Sequence, residues 1–425
     1  MQSVIRLDLA PLGSGAAVVE RLAAAFDEAG HGLYLVGGMV RDLILDQVSP
    51  TDDLDLTTDA EPDAIKTLLE PVAGVLWTQG ERFGTIGASV EGRTVEITTH
   101  RAELYRDDSR QPIVTFGSSI EDDLFRRDFT INAMAVALPS YELFDPYHGR
   151  MHLAEHRLVT PGSPVESFVD DPLRILRAAR FTARFGLRPE PDLVRAATDL
   201  APRIEIVSAE RISDELERLL ALPDPGPGLD LLVTTGLLGR LVPEYLERPD
   251  AVAAGVAVAA AVPASLSRRA GLLHPLGPEG AGKALRRLRY SNQAVDDTTT
   301  VLFGLPLVAD PVVSAEHVRR TVARIGLSRL TDTVTLARAL EASGHPSPAG
   351  FEAELFRLRA GEDLTDLGPP LSGQQVMDHL DLGPGPVVGQ ALTMLRNHRL
   401  ASGPFDAAGA YRLLDRWWRA RSAPH

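Results

Sequence analysis

The chain has 425 residues, of which 44% are apolar and 24% are charged; this is typical of a folded globular protein with two to four domains and a large core. It contains no cysteine, which excludes disulfides, thiolate catalysis and zinc–cysteine sites. The net charge of −15 argues against a general nucleic-acid-binding protein, because such proteins are usually basic. No apolar stretch approaches the roughly 18 residues of a membrane span and no leader pattern opens the chain, so we expect a cytoplasmic protein with no membrane contact and no implied protein partner.

The first predicted elements surround a pair of glycines. An amphipathic helix over 15–30 precedes the apolar run 33–36, which is typical of a buried strand, and helical spacing resumes after the glycines. Gly37 and Gly38 therefore lie in a strand-to-helix turn, where backbone N–H groups can approach a phosphate and the helix N-terminus favours an anion. By itself, a Gly-Gly pair also fits an ordinary tight turn.

Two aspartates follow in an alternating pattern. Asp53 and Asp55 alternate with Leu54 and Leu56, which predicts a strand with both carboxylates on one face. Neighbouring carboxylates repel each other unless a cation lies between them, and hard oxygen ligands suit Mg²⁺. A solvated, Asp-rich turn is the alternative for this pattern taken alone.

A helix beginning near Pro62 is followed by three predicted strands, over 75–79, 84–90 and 93–99. In the last of them Glu96 points away from the apolar face, which makes it a candidate third acidic group near the two aspartates. A solvated glutamate on an open sheet face fits this position equally well.

The stretch 121–137 contains two adjacent arginines, Arg126 and Arg127, followed by Asp128 and Asn132. We expect Asp128 to cap a helix that carries Phe129, Ala133 and Val136 on its inner face. Arginine and asparagine beside an acidic metal site suit a nucleoside triphosphate and its ribose.

From about residue 152 onward the pattern is helical, without a convincing strand. Asp171 precedes a first-turn proline, and Arg174 follows three residues later, so the two are expected on one face. A stabilising ion pair is the alternative interpretation. In the helix over 210–220, Arg211 can either reach the site or pair with Glu215 one turn away.

Four of these stretches together resemble the class II tRNA nucleotidyltransferase and bacterial poly(A) polymerase family. Residues 37–42 with 53–55 resemble the start of its head, and 126–133 are similar to its RRDFTxNA motif. Residues 170–174 resemble its EDxxR motif, with Asp in place of the first Glu, and 210–220 resemble its neck motif.

The resemblance implies an α+β protein with a small mixed-sheet nucleotidyltransferase head, followed by an elongated all-α neck, body and tail. The expected boundaries are 1–150 for the head, 151–222 for the neck, 223–345 for the body and 346–425 for a tRNA-binding tail.

The implied activity is template-independent addition of C, C and A to the tRNA 3′ end from CTP and ATP. Asp53 and Asp55 would hold Mg²⁺, with Glu96 as a third catalytic carboxylate. The implied nucleotide-binding residues are Gly37, Gly38, Arg41, Arg126, Asp128, Asn132, Asp171, Arg174, Arg177 and Arg180.

Within this family Asp171 and Arg174 stand at the base-reading positions, and their chemistry fits that role. A carboxylate only accepts hydrogen bonds and a guanidinium only donates them. Cytosine and adenine both present an amino donor beside ring acceptors, whereas uracil and guanine present the opposite polarity. Such a pair can select CTP and ATP without a template.

Three alternatives remain: a poly(A) polymerase, a partial adder of A or CC, and a non-catalytic RNA-binding protein. The stretch 83–85 and a polar loop over 100–116, with Arg106 and Arg110 as its basic positions, argue mildly against the first two. Relatives carry a His–Asp pair where this chain has His274-Pro275, so we predict no phosphohydrolase metal site there.

Overall fold

The computed structural model describes residues 4–49, 51, 53–81, 84–104, 113–116, 119–246, 248–263 and 265–422. The chain forms two compact units. The first comprises Met1–Leu219 and Pro227–Arg240, and the second comprises Leu220–Gly226 and Leu241–His425. The predicted head and nearly all of the predicted neck therefore lie in the first unit. The predicted tail and most of the predicted body lie in the second unit. The finer division into four parts stays a prediction.

The strands belong to the first unit: β1 (Leu33–Val36), β2 (Leu54–Thr58), β3 (Val75–Trp77), β4 (Thr85–Val90), β5 (Arg93–Thr99), β6 (Arg101–Leu104), β7 (Ile113–Phe116), β8 (Ala135–Leu138), β9 (Glu142–Phe144), β10 (Arg157–Leu158) and β11 (Arg188–Pro189). Its helices are α1 (Ser14–Glu28), α2 (Gly38–Ile44), α3 (Pro62–Leu69), α4 (Ile120–Phe125), α5 (Gly149–Ala154), α6 (Pro164–Asp170), α7 (Leu173–Phe185), α8 (Pro191–Leu200), α9 (Ala209–Leu220), α10 (Gly226–Thr234) and α11 (Leu237–Leu241).

The helices that follow are α12 (Pro249–Ala261), α13 (Ser265–Leu273), α14 (Gly277–Arg287), α15 (Asn292–Val308), α16 (Ala315–Ile325), α17 (Leu327–Glu341), α18 (Ala349–Gly361), α19 (Gly373–Leu380), α20 (Pro386–Ser402) and α21 (Ala407–Ser422). The predicted fold class, a mixed-sheet head followed by helices, is confirmed. Within the described ranges, no helix is long and apolar enough to cross a membrane.

The head is a seven-stranded sheet in the order β3-β4-β5-β2-β1-β8-β9, in which only the β2–β5 pair is parallel among the described strands. Leu35, Leu56 and Ile97 lie in register across β1, β2 and β5 and are fully or almost fully buried. They pack in a core with α1, α2 and α3. Because side chains alternate along a strand, the opposite face of β2 and β5 carries Asp55 and Glu96.

Two local predictions are wrong. The helix expected to begin at Asp128 and to carry Phe129, Ala133 and Val136 does not form: a short 3₁₀ turn covers Thr130–Asn132, and Val136 lies in β8. Asp128 therefore caps no helix, and its carboxylate instead accepts the N–H of Phe129. The region after 152, predicted to lack strands, contains the short parallel pair β10–β11.

The predicted loop over 100–116 is only partly described. β6 and β7 pair antiparallel, so residues 101–104 and 113–116 form a two-stranded arm where a loop was expected. Arg106 and Arg110 lie outside the described residues.

In the second unit, the stretch around His274 is a short 3₁₀ turn over His274–Leu276. The Nδ1 atom of His274 lies 2.7 Å from the carbonyl oxygen of Gly271, and its ring stands edge-on to His345 at 6.3 Å. Burial lowers the pKa of His274. This geometry is that of a histidine engaged in local packing.

A buried ion-pair triad joins three segments of the second unit. The two carboxylate oxygens of Glu362, after α18, accept from Arg319 of α16 at 2.8 Å and from Arg399 of α20 at 2.6 Å. All three side chains are less than a tenth exposed. Because an unpaired buried charge is far more costly than the pair, Glu362 holds these segments together.

We expect Glu362→Gln to lower the free energy of unfolding by about 3–5 kcal/mol, since it leaves two buried guanidinium groups without their counter-charge. Urea denaturation followed by circular dichroism measures the loss. Glu316→Gln is the matched control, because its ion pair with Arg320 is exposed and is expected to contribute less than about 1 kcal/mol. Equal losses in the two variants would contradict this assignment.

Candidate active site

The glycine turn lies between β1 and α2, as predicted. Gly37 has a φ of +71°, in the region that favours glycine, and its N–H donates to the carbonyl of Met134. A Cβ at this position would lie 2.6 Å from Nη1 of Arg127. The close approach of this guanidinium to the turn therefore requires glycine at position 37.

Two acidic side chains face each other at the neighbouring edge. Asp55 of β2 and Glu96 of β5 are partners in the parallel register, and both are exposed on the same sheet face. Asp53 immediately precedes β2 and is also exposed. Its charge acts on Asp55, so the three predicted carboxylates lie near one another on this face of the sheet; we call Asp53, Asp55 and Glu96 the acidic edge.

Asp55 carries an unfavourable negative charge at this edge. The pKa of Asp55 is raised to about 6, first because the surrounding protein desolvates its charged form, and second because of the Glu96 carboxylate beside it. Among the described residues, no group of three or more His, Asp or Glu side chains is close enough to hold a metal alone. Carboxylate oxygens are nevertheless ligands that a hard divalent cation prefers, and Mg²⁺ usually completes its shell with substrate oxygens and water.

Arg41 lies behind the glycine turn. Its guanidinium is only 4% exposed and donates to both oxygens of Asp42, at 2.8 and 2.9 Å, and to the side-chain oxygen of Asn132. It also stacks over the ring of Phe185, 4.5 Å from the centroid. In this arrangement Arg41 supports the turn from beneath, and a phosphate contact by its side chain stays a prediction.

Both carboxylate oxygens of Asp128 accept hydrogen bonds from neighbouring groups. One of its oxygens accepts from the backbone N–H of Phe129 and from Nδ2 of Asn132, both at 2.8 Å. The other accepts from Nε and Nη2 of Arg177, at 2.8 and 2.6 Å. Burial would raise the pKa of Asp128, but these donors, led by the charge of Arg177, hold it below its usual value.

Arg177 and Arg180 project from α7 and share a second partner. Glu215 of α9, only 3% exposed, accepts a hydrogen bond from Arg180 and lies 3.8 Å from Arg177. The Arg180 guanidinium stacks on the ring of Phe181 at 4.4 Å. Asp128 thereby binds the head to α7, and Glu215 binds α7 to α9. Asp128, Arg177 and Arg180 form a frame behind the site.

The predicted base-reading residues do not form a salt bridge with each other. Arg174 donates to the side chain of Ser167 at 2.8 Å and to the carbonyl oxygen of Arg126 at 2.6 Å. Asp171 pairs instead with Arg211, at 2.7 Å. Arg126 meets this group through its backbone, whereas its neighbour Arg127 reaches the glycine turn.

Two residues of this site are missing from the set predicted to bind nucleotide. Arg127 contacts the glycine turn, and its charge lowers the pKa of Asp55, against the two effects that raise it. Its Nη2 donates to Asp123 at 3.1 Å, and its buried Nε has no hydrogen-bond partner among the described residues. Glu215 belongs to the frame. The adjacent Arg126 and Arg127 were recognised in the sequence as candidates for triphosphate binding. Nothing in the local pattern indicated that Arg127 is the one that contacts the glycine turn.

We expect Asp55→Asn to be more stable than the native chain at pH 8 without divalent metal. The folded-state pKa of Asp55 is raised, so its ionisation costs stability as the pH rises from about 4 through 6, and asparagine removes that cost. Urea denaturation in chelator across pH 4.5–8 should show the advantage shrinking as the pH falls. A constant difference over this range would contradict the assignment.

We expect Asp128→Asn to lower the free energy of unfolding at pH 7 by about 1.5–3 kcal/mol, because Arg177 loses the nearer of its two carboxylate partners. The folded-state pKa of Asp128 is lowered, so its contribution is present above about pH 4 and is lost as acid protonates the carboxylate. Chemical denaturation measures both effects. Asp122→Asn, at an exposed position on α4, should change stability by less than about 0.5 kcal/mol.

Two family models match the first unit and its boundary. Residues 33–159 match the poly A polymerase head domain, and residues 186–247 match a model described as a probable RNA and SrmB-binding site of polymerase A. The first of these contains the glycine turn, the acidic edge and Asp128.

Known proteins resemble the chain over most of its length. The CCA-adding enzyme of Geobacillus thermodenitrificans is 32% identical over 366 residues, 85% of this chain and 87% of the relative. The crystal structure of the Bacillus stearothermophilus CCA-adding enzyme in complex with CTP aligns with a TM-score of 0.77 at 28% identity, covering 97% of this chain and 98% of that one. The Thermotoga maritima CCA-adding enzyme complexed with tRNA-CCA shares the fold, with a TM-score of 0.68 at 21% identity over 98% of this chain and all of the other. The family resemblance predicted from the motifs is therefore confirmed: the chain belongs to the CCA-adding enzyme family and is a nucleotidyltransferase.

Proposed function

We propose that this enzyme adds C, C and A to the 3′ end of tRNA, using CTP and ATP without a nucleic-acid template and releasing pyrophosphate. The observation that carries this assignment is the acidic edge of Asp53, Asp55 and Glu96 beside the glycine turn, in a chain of this family. Relatives of this fold were solved with CTP, with ATP and with tRNA-CCA, which supports the choice of substrates.

The divalent ion that we propose for the acidic edge is Mg²⁺. Asp53 and Asp55 supply oxygen ligands, and Glu96 adds negative charge next to Asp55. When bound, Mg²⁺ would neutralise phosphate charge and promote ionisation of the attacking hydroxyl, as in two-metal nucleotidyl transfer. Protonation of Asp55 competes with metal binding, so we expect metal affinity to weaken as the pH falls through about 6.

The triphosphate is proposed to bind against the glycine turn. Gly37 and Gly38 allow close backbone approach, and Arg127 presents a partly exposed guanidinium next to them. Arg41, Asp128 and Asn132 contribute by holding this wall in place, since their polar atoms bind one another.

Selection of the base is proposed for Asp171 and Arg174. Asp171 lies two residues before the start of α7, Arg174 lies in its first turn, and both are partly accessible. The carboxylate accepts and the guanidinium donates, which matches the amino and ring-nitrogen edges shared by cytosine and adenine.

Incorporation assays on tRNA ending at the discriminator base, at C and at CC test the assignment, with each labelled nucleotide in turn and Mg²⁺ present. Addition of C, C and then A, followed by arrest, is the expected result. Unlimited A addition would indicate a poly(A) polymerase, and activity on a subset of primers would indicate a partial adder. No incorporation would leave a non-catalytic RNA-binding protein.

We expect Asp53→Ala to reduce incorporation of every nucleotide by more than about 100-fold. Loss of groups that only support a metal ligand already costs about 10–100-fold, and Asp53 is proposed to touch the metal itself. Asp63→Ala is the control in the same unit, because that side chain is 92% exposed. Full activity in Asp53→Ala would overturn the proposed mechanism.

The cytoplasm is the compartment that we propose for this reaction. A chain without cysteine has no disulfide to form or protect, which is compatible with a reducing compartment.

A further inference from the structure

The carboxylate of Asp171 is held from two sides. Its Oδ1 accepts the backbone N–H of Leu173, the first residue of α7, at 3.1 Å. Its Oδ2 accepts Nη2 of Arg211, which comes from α9, 40 residues later in the chain, at 2.7 Å. Two donors in fixed positions determine both the location and the plane of this carboxylate.

Arg211 makes this contact although an acidic residue lies one turn away on its own helix. Glu215, four residues later, is occupied by Arg180 and Arg177 of α7. The side chain of Arg211 remains 55% exposed, and that of Asp171 is 27% exposed. An ion pair this open to solvent contributes at most about 1 kcal/mol to the free energy of unfolding, so a stabilising role alone does not account for it.

The pair leaves acceptor capacity on Asp171. Each carboxylate oxygen has two lone-pair directions, and the described contacts occupy one on each. The remaining directions can accept the amino group of a base. Arg174 is fixed separately, by Ser167 and the backbone of Arg126, so the acceptor and the donor of the proposed base reader have independent supports.

We propose that Arg211 is a positioning residue for nucleotide selection: it holds the carboxylate of Asp171 in the orientation that accepts the amino groups of cytosine and adenine. This inference rests on the proposed function, in which Asp171 and Arg174 read the base. Without Arg211 the carboxylate keeps, among the described contacts, only the one to the start of α7 and can rotate. Rotation weakens discrimination against bases that present a carbonyl at that position.

The test compares kcat/KM for CTP with that for UTP, and for ATP with that for GTP, on the matching tRNA primers. We expect Arg211→Ala to reduce both ratios at least tenfold, mainly through a higher KM for CTP and ATP. Arg211→Lys should restore part of the discrimination, since one charged donor remains. Arg218→Ala removes an exposed arginine from the same helix and should leave both ratios unchanged. Thermal unfolding of each variant verifies that the fold is intact.

Asp171→Ala separates this inference from the function on which it rests. If Asp171→Ala loses discrimination and Arg211→Ala keeps it, the positioning role is wrong and the base-reading role of Asp171 stands. If neither variant loses discrimination, both assignments fail. A uniform fall in rate for all four nucleotides in Arg211→Ala would also overturn the positioning role, because it would indicate a contact to phosphate or tRNA.

A double mutant distinguishes positioning through Asp171 from an independent contact. The losses in Asp171→Asn and Arg211→Ala should not add in the combined variant, since both act on one carboxylate. Additive losses in the two discrimination ratios would show that Arg211 acts without Asp171.

Discussion

The first unit depends on a carboxylate that has almost no contact with water. Asp128 is 8% exposed, and an isolated charge in that position would cost several kcal/mol. It is tolerated because a backbone N–H, the amide of Asn132 and the guanidinium of Arg177 surround both oxygens. Since Asp128 belongs to the head and Arg177 to the first long helix after it, satisfying this one charge fixes the two parts relative to each other.

The same frame extends to the glycine turn. Asn132 donates to Asp128 and accepts a hydrogen bond from Arg41, so it connects the two side chains. The Arg41 guanidinium supports the turn and stacks on Phe185. Glu215 continues it in the other direction by binding Arg180. A site built to hold reacting groups within a fraction of an ångström needs side chains that are themselves locked in place, and this chain of contacts supplies them.

Much of the site followed from period-two alternation in the sequence. Alternation placed the three carboxylates on one sheet face, and the register of β2 with β5 brings Asp55 opposite Glu96. The prediction of a helix capped by Asp128 was wrong because Phe129, Ala133 and Val136 fit two structures equally well. Their spacing suits a helix, and it also suits a 3₁₀ turn that leads into a buried strand.

The partners of individual side chains were harder to predict from the sequence than the helices and strands. Arg211 could be assigned to the site or to Glu215, and only the packing of α9 against α7 decides between them. Likewise, the adjacent Arg126 and Arg127 indicate two positive charges, but the sequence does not indicate which of them faces the proposed substrate. Contacts across 40 or more residues leave no local periodicity, because they depend on how whole helices are oriented.

Charge gives a reason for the proposed combination of a divalent ion and Arg127 at this site. The chain carries a net charge of −15, and its acidic edge would meet a polyanionic nucleotide and a polyanionic RNA. The pKa of Asp55 is raised to about 6, first by desolvation and second by repulsion from the neighbouring Glu96 carboxylate. A bound divalent ion reverses the sign of the local field, and Arg127 adds positive charge on the side of the glycine turn. Under the proposed function, a polyanionic substrate would therefore be attracted to the place where metal and guanidinium meet, while the net negative charge of the chain would oppose non-specific binding of RNA.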